Sequence, residues 1–382
     1  MKKRDICIIE YFEEVETTRE YCGYFCSVGE ALTLLILGTL CGLRSVSQIH
    51  QWAQGARTAA LLREHLGIER VPSYYWLLCL LKITNPKSFN LCFMRWAQSL
   101  VADGKALTLS FDGKTICSTE KMGSYKSPLH IVSAHVSALG VTIGQRTVDG
   151  KSGEIPAMRE LLGLLDVEGC MIVADALHCQ RETASAVVMR KADYLLCVKD
   201  NQESLKEEIE DYVRDAQLRK TMDASETAEK NGGRIERRTA YATSDVGWSR
   251  EAVAWAGLSC IGAIRRRFTD RRGTTDKWHY YISSRELSAE ELLRHARLEW
   301  GVESMHWLLD VHFGEDSCRA EDPNIQQNLN IVRKVALNAL RGYKDRSGDK
   351  RPLSKIMFGC LLDPDALRDV LPPAGRDAKN EN

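Results

Sequence analysis

Apolar residues recur every three or four positions along the first hundred residues. The spacing holds in SVSQIHQWAQGARTAALLREHLGI (residues 45–68) and PKSFNLCFMRWAQSLVA (86–102), and a continuous apolar run, 31–43, precedes both. This period is typical of helices that bury one face. The pattern predicts an all-helical N-terminal domain over residues 1–100.

From residue 105 the period of the apolar residues changes to two. ALTLSFDGKTI (106–116) reads as a strand, and HIVSAHVSALGVTIGQRTV (130–148) reads as a hairpin. Helices and short apolar strands then alternate, which predicts the order β-β-β-α-β-α-β-α and a mixed α/β layer fold. The later elements are helices over 155–166, 179–192 and 201–217, with strands over 169–177 and 193–200.

Residues 216–281 interrupt the alternation and predict an inserted β-rich segment. Its first part is polar and reads as a loop, and its second part reads as two strands around an Arg-containing turn. A capping box, Ser288 to Glu291, starts a helix that is predicted to run to residue 311. A further helix over 324–343 ends the main domain, 101–345, and leaves a C-terminal extension, 346–382, with a disordered tail from residue 372.

Composition places the chain among ordinary globular proteins. It has 382 residues, 44% hydrophobic residues and zero net charge, so a wholly basic nucleic-acid scaffold is excluded. No segment resembles a signal peptide, and the run 31–43 is too short to span a bilayer. The thirteen cysteines form no CxxC pair, which favours buried thiols in a reducing cytoplasm.

Two acidic residues follow apolar strand sequences. Asp112 lies within LSFDGKT, and Asp175 ends MIVAD. A carboxylate at such a position costs free energy unless it is paired or binds a metal. A salt-bridged residue at a strand end is the alternative for each one alone. Two such acids on strands that the topology can place side by side favour a site at the strand ends.

The helix predicted over 288–311 carries a third group of ionisable residues. On a helical wheel, Glu299, Glu303, His306 and Asp310 form a narrow stripe at the border of the apolar face. Exposed charges normally lie opposite the apolar face of a helix, whereas these residues border the face that should meet the sheet. A solvated flank of the helix is the alternative. Three converging carboxylates without a Cys or His set select Mg²⁺ or Mn²⁺, the ions of two-metal phosphoryl displacement.

A series of collinear motifs between residues 20 and 345 resembles a known family. They include FDGKT, VADALHCQRETA, ADYLLCVKDNQ and RLEWGVESMHWLLDVHFGEDSCR. Together they resemble the H-repeat-associated transposases of bacterial insertion sequences, which are DDE transposases with an RNase H-like core. The resemblance implies a catalytic and metal-binding triad of Asp112, Asp175 and Glu303.

The resemblance also implies partners and a reaction. It implies Mg²⁺ or Mn²⁺ as cofactor, double-stranded DNA as substrate, a homodimer assembled on DNA, and a cytoplasmic enzyme that joins the nucleoid when bound. The helical domain is expected to bind DNA or to dimerise. Glu299 departs from the family, which has His there, so an added acid would shift metal affinity or repel DNA; Asp310 is a second accessory acid.

Several residues are candidate DNA contacts, each with a structural alternative. Lys114 either reaches a phosphate or is solvated near a strand end, and His306 either touches the scissile phosphate or is a satisfied core residue. The remaining candidates are Lys199 and Gln202 at a strand end, and the cluster Arg265, Arg266, Arg267, Arg271 and Arg272 on a hairpin.

Two other functions stay open at this stage. One is a structure-selective nuclease on the same core, which would cut DNA without joining ends. The other is an inactive DNA-binding relic of a transposase. Joining of ends separates the first from a transposase, and metal binding separates the second.

Overall fold

We describe the chain from a computed structural model, for residues 8–20, 25–101, 107–121, 128–148, 150, 153–231, 234–270, 273–299 and 301–371. The predicted tail from residue 372, Arg271 and Arg272 lie outside these residues. In the described part of the chain, none of the helices is long and apolar enough to cross a membrane. The eleven cysteines there form no disulfide, and eight of them are buried, as the sequence predicted.

The N-terminal region is helical, as its period predicted. Local signals set the ends of its helices: Ser27 and Ser45 each form a capping box, and Gly67 ends a helix with a positive φ of 74°. The helices described in this region are α1 (Ile8–Phe12), α2 (Val28–Leu40), α3 (Val46–Ala53), α4 (Ala56–Leu66), α5 (Tyr74–Ile83) and α6 (Pro86–Ser99).

The described residues beyond α6 are built on one nine-stranded mixed sheet, ordered β3-β2-β1-β4-β5-β9-β8-β7-β6. β4 pairs in parallel with β1 and with β5, and the other neighbours are antiparallel. The first five strands and the helices between them form the expected RNase H-like core. The strands are β1 (Thr108–Thr115), β2 (His130–Val136), β3 (Val141–Val148), β4 (Met171–Ala174), β5 (Asp193–Val198), β6 (Asp223–Asn231), β7 (Arg234–Thr243), β8 (Cys260–Asp270) and β9 (Gly273–Ser283).

The segment predicted as a β-rich insertion extends the sheet. β9 pairs with β5 from Leu195–Ser283 to Val198–Tyr280, so the two hairpins β8–β9 and β6–β7 continue the core sheet sideways. The prediction of a polar loop before residue 243 was wrong. That stretch forms β6 and β7, which pair with each other in an antiparallel hairpin. Their residues are mostly polar, so no alternation of apolar residues marks them as strands in the sequence.

Helices cover both faces of the core sheet. The helices described beyond residue 150 are α7 (Glu154–Leu164), α8 (Arg181–Val188), α9 (Glu203–Arg214), α10 (Ala216–Thr221), α11 (Ala289–Glu299), α12 (Gly301–Phe313), α13 (Pro323–Ser347), α14 (Leu353–Leu362) and α15 (Leu367–Val370). The helix predicted over 288–311 thus corresponds to α11 and α12; Trp300, between them, lies outside the described residues. α11 and α12 pack on β1, and α7 packs on β2 and β3.

The long helix α13 joins the N-terminal helices to the sheet. Its buried Asn328 donates to the carbonyls of Leu81 and Thr84 at 2.8 and 3.0 Å, and its buried Asn338 bonds both backbone groups of Thr142 in β3. The N-terminal region also reaches α12, because Arg44 donates to the carbonyl of Val311 at 2.6 Å. These bonds satisfy buried polar groups, and they fix the helices against the core.

Candidate active site

Asp112 and Asp175 come from neighbouring parallel strands. In the register of β1 and β4, Phe111 lies opposite Ala174, so the two aspartates occupy the next position on each strand. β4 ends there, and the Asp175 carboxylate accepts a hydrogen bond from the Leu177 backbone N–H at 3.1 Å. The parallel pairing places both carboxylates at the same edge of the sheet.

One face of β1 lies along α11 and α12. Alternate residues of a strand point to the same face, and four of them in β1 contact these helices in order. The contacts are Thr108 Oγ1 with His295 Nδ1 (2.9 Å), Ser110 Oγ with the Leu298 carbonyl (3.1 Å), Asp112 Oδ2 with His306 Nδ1 (3.5 Å), and Lys114 Nζ with Asp310 Oδ1 (2.7 Å). The predicted polar stripe of the helix therefore faces the strand of Asp112.

A cavity of about 250 Å³ opens at this edge of the sheet. Four acids line it, Asp112, Asp175, Glu299 and Glu303, together with one ammonium group, that of Lys199. Its other lining residues are Phe111, Cys197, His279, Tyr281 and Val302. The structure thus brings the three acids of the expected triad, the accessory Glu299 and Lys199 to one cavity.

His279 and Tyr281 were not among the residues singled out from the sequence. Both belong to β9, which reaches the site only because it pairs with β5. Tyr281 is buried, and the Nε2 atom of His279 is buried without a hydrogen-bond partner. Burial, with Arg266 and Lys199 nearby, lowers the pKa of His279, so its imidazole is neutral at pH 7.

The cavity concentrates negative charge. Burial raises the pKa of Asp112 to about 6, the Gly113 backbone N–H opposes this rise, and the neighbouring Asp175 and Glu154 add to it. Burial raises the pKa of Glu299 to about 7, with Asp175 adding to the rise and Lys199 opposing it. Desolvated carboxylates that repel one another favour a proton or a metal cation between them.

The donor set suits a hard divalent cation, since carboxylate oxygens are the ligands that Mg²⁺ and Mn²⁺ prefer. The four acids flank the cavity without converging. Among the described residues, the group of three whose ligand atoms lie within 4.8 Å of one another is Asp310, Glu315 and Asp316. The four carboxylates therefore line the cavity wall, and a cation bound in the cavity would compensate their negative charge.

The second acidic group already contains a cation from the protein. Lys114 Nζ lies 2.7 Å from both Asp310 and Glu315 and 3.6 Å from Asp316. Only 14% of the Lys114 side chain is exposed, and Glu315 is buried. The ammonium group is thus engaged inside the protein, which corrects the picture of Lys114 as a solvated or phosphate-binding residue and places the accessory Asp310 beside it.

His306 lies close to Asp112 and is largely buried. Its Nδ1 atom is 3.5 Å from the carboxylate, and its Nε2 atom is buried without a hydrogen-bond partner. Burial, together with Lys334 and Lys114, lowers the pKa of His306 to about 3. The imidazole is therefore neutral, and its position suits orientation of Asp112 better than contact with a DNA phosphate.

A buried hydrogen-bond network lies behind the two aspartates. Glu154, the first residue of α7, accepts from His130 Nε2 at 2.8 Å and from His178 Nε2 at 3.2 Å. The network fills the space beside Gly113, where a Cβ atom would lie 2.5 Å from the Glu154 carboxyl carbon. The glycine after Asp112 is thus required for close approach of the strand to this network.

The predicted contacts beyond β5 divide into two kinds. Lys199 is exposed and lines the cavity. Gln202 donates from its side-chain amide to the Cys179 carbonyl at 2.9 Å, and Asn201 donates to the Ala176 carbonyl at 2.7 Å. These two amides tie the end of β5 to the turn that follows Asp175, so the described contact of Gln202 is a structural one.

The arginine cluster lies on β8, outside the cavity. Arg265 and Arg267 both pair with Asp276 of β9, at 2.8 and 3.1 Å, and Arg266 pairs with Glu236 of β7 at 2.9 Å. The two guanidinium groups that share Asp276 leave a net positive charge on the hairpin. The cluster is thus a partly neutralised basic surface.

Known proteins resemble this chain over most of its length. Residues 99–339 match the family model described as "Transposase DDE domain", and residues 9–97 match one described as "DDE_Tnp_1-associated". "Putative transposase YncI" of Escherichia coli O157:H7 is 35% identical over 287 residues, which are 72% of this chain and 73% of that protein. "H repeat-associated putative transposase YhhI" of Escherichia coli K12 is 28% identical over 364 residues, 91% of this chain and 94% of that protein.

Among solved structures, "Cryo-EM structure of piggyBac transposase synaptic complex with hairpin DNA (SNHP)" aligns with 97% of this chain and 80% of that chain. The TM-score is 0.44 and the sequence identity is 10%.

Proposed function

The chain belongs to the DDE transposase family, and from that premise we propose that it hydrolyses phosphodiester bonds at the ends of an insertion sequence and joins the freed 3′-hydroxyls to target DNA. The family match confirms the resemblance found in the motifs. The main support for this proposal is that Asp112, Asp175 and Glu303 line one cavity. The two aspartates come from neighbouring parallel strands, and Glu303 comes from a helix.

In this proposal Asp112, Asp175 and Glu303 hold Mg²⁺ or Mn²⁺. Four acids against one lysine, and the raised pKa of Asp112, support a cation in the cavity. A divalent ion bound there supplies Lewis-acid activation of the attacking water or 3′-hydroxyl and stabilisation of the leaving oxygen. The neutral His306 orients Asp112, and Glu154 with its two histidines holds the strand ends from behind.

The DNA-binding part of the proposal uses exposed basic groups. Lys199 stands at the rim of the cavity, where an ammonium group attracts a phosphate. The hairpin that carries Arg265, Arg266 and Arg267 is proposed to grip the DNA backbone farther away. The helical domain, residues 1–100, is proposed to bind DNA or to support the homodimer that pairs two element ends.

The test is a nicking and joining assay on labelled DNA that carries the ends of the element. A transposase yields metal-dependent nicks at the ends and then joined product with target DNA. Nicks without joined product would identify a nuclease instead. A protein that binds the DNA and leaves it intact under all metal conditions would be the inactive relic.

A further inference from the structure

A second cavity lies on the other side of the first turn of α12. Its volume is about 240 Å³. Val302 and Glu303 line the candidate active site, whereas Gly301 and Ser304 line this second cavity. The remaining walls are the turn between β2 and β3, the inner side of α12, and α13; they consist of His135, Ser137, Ala138, Leu139, Gly140, Met305, Leu308 and Arg341.

Arg341 brings an uncompensated positive charge to this cavity. In the described part of the chain, no carboxylate pairs with it, whereas Arg265, Arg266 and Arg267 all have acidic partners. Its Nε atom is buried without a hydrogen-bond partner. Burial lowers the pKa of the guanidinium. A partly desolvated charge without a partner costs free energy that an anionic ligand would recover.

The rest of the cavity is compatible with an anion. None of its lining residues is acidic. His135 is buried, and burial, with Arg341 and Lys334 nearby, lowers its pKa to about 3, so it adds no charge. Gly140, at a φ of 69°, leaves room for the guanidinium, because a Cβ atom there would lie 3.1 Å from Arg341 Nε.

A hydroxyl donor lies on the same side of the cavity. Ser304 contributes an exposed hydroxyl to the cavity wall. A planar guanidinium and a hydroxyl group together match the oxygens of a phosphate group.

We propose that this second cavity binds a backbone phosphate of the DNA strand, next to the phosphate that is cut. The inference rests on the proposed function, which supplies the DNA. Because both cavities share the first turn of α12, a phosphate held by Arg341 and Ser304 fixes the strand on one side of that turn while Glu303 faces the reacting phosphate on the other. The site thus sets the register of the DNA relative to the triad.

The first test is the salt dependence of binding to DNA that carries the element ends. Each phosphate contact contributes about 0.9 to the slope of log K against log salt concentration. Arg341→Gln is expected to reduce the slope by about that amount. Arg190→Gln is the matched control, since Arg190 follows α8, outside both cavities, and donates to the Ala186 carbonyl. It is expected to keep the wild-type slope.

The second test replaces single phosphates of the DNA by neutral methylphosphonates. We expect a methylphosphonate at one position beside the cut site to weaken DNA binding by the wild type. The same methylphosphonate should cause no further loss of affinity in Arg341→Gln. Arg341→Lys keeps the charge without the planar guanidinium. The loss of affinity caused by the methylphosphonate at that position is therefore expected to be smaller for Arg341→Lys than for the wild type. If Arg341→Gln does not fold, the comparison of wild type with Arg341→Lys decides.

The outcomes separate this inference from the proposed function. If the wild type binds and cuts the ends while the Arg341 variants keep its slope and its methylphosphonate pattern, the phosphate site is wrong and the transposase proposal stands. If the wild type does not bind the ends at all, both are wrong.

Discussion

Glu154 and His178 are joined by a hydrogen bond of 3.2 Å directly behind the two strand-end aspartates. His178 lies three residues after Asp175, and Glu154 fills the space beside Gly113, the neighbour of Asp112. The same carboxylate accepts from His130 of β2 at 2.8 Å. One buried acid therefore connects the segments that carry two members of the proposed triad.

Replacing Glu154 by Gln is expected to destabilise the protein at pH 7 by about 1–3 kcal/mol, because the buried histidines lose a charged acceptor. Burial opposes ionisation of Glu154, but the hydrogen bonds and charges of the two histidines outweigh it and lower the pKa from its ordinary value of 4.5 to about 2. Its stabilisation is therefore present above pH 4.5 and is lost as pH falls towards 2. Denaturant unfolding of both proteins at several pH values measures the difference.

Glu160→Gln is the control for this change, since Glu160 lies on the same helix and pairs with Arg146 at the surface. It is expected to change the free energy of unfolding little. A difference between wild type and Glu154→Gln that stays constant from pH 7 to pH 2 would contradict the assigned role of the Glu154 carboxylate.

Glu299→Gln is expected to stabilise the protein at pH 8. Burial raises the folded-state pKa of Glu299 to about 7, so the folded protein holds a proton there that the unfolded chain releases near pH 4.5. Stability falls as pH rises between these values, by an amount on the order of 2 kcal/mol. Thermal unfolding should show a higher Tm for the variant at pH 8 and equal Tm values at pH 4.5.

Glu303→Gln serves as the comparison, because Glu303 lies four residues further along the chain, lines the same cavity and is exposed. Its Tm at pH 8 is expected to match that of the wild type. A Glu299 variant that is less stable than the wild type at pH 8 would show that the carboxylate has a stabilising partner instead of an uncompensated charge.

Lys114→Met is expected to destabilise the protein by about 3–5 kcal/mol, since it leaves buried Glu315 and its neighbour Asp310 without their cation. Lys355→Met, at an exposed position of α14, is the control and should have little effect. The salt slope of DNA binding, measured below the unfolding transition, should be the same for Lys114→Met and wild type. A lower slope for the variant would restore Lys114 as a phosphate contact.

Asp276→Asn is expected to strengthen DNA binding. Arg265 and Arg267 share this carboxylate, and its loss frees both guanidinium groups on the exposed hairpin. If the hairpin grips the backbone, the salt slope should steepen by about 0.9 for each phosphate gained. The double change Arg265→Ala and Arg267→Ala should lower it. Unchanged slopes in both variants would exclude the hairpin from the DNA interface.

Much of the site could be predicted because local patterns specify it. The apolar residues before Asp112 and Asp175 mark two strands, and the helical period places Glu303 and His306 on one stripe. The register of β1 with β4 then puts the two aspartates side by side. Strand and helix periods decide which face a residue occupies, so these positions follow from short segments of sequence.

Other parts depend on pairings that no short segment reveals. His279 and Tyr281 reach the cavity because β9 pairs with β5, more than eighty residues earlier in the chain. β6 is the edge strand and lacks apolar alternation, since its polar side chains pair with polar groups of β7 and α11, such as Arg238 and Arg297 with Glu229. Glu154 looks like an ordinary acid at a helix start, and only the fold shows that it is buried between two histidines.

The central claim is that Asp112 holds a catalytic metal ion with Asp175 and Glu303. The most direct measurement is nicking of labelled element ends across a Mg²⁺ titration, for wild type, Asp112→Asn and Asp211→Asn, whose carboxylate is exposed on α9. We expect Asp112→Asn to lose at least about 100-fold in rate at every Mg²⁺ concentration, while Asp211→Asn matches the wild type. Rates for Asp112→Asn within a few-fold of the wild type would contradict it.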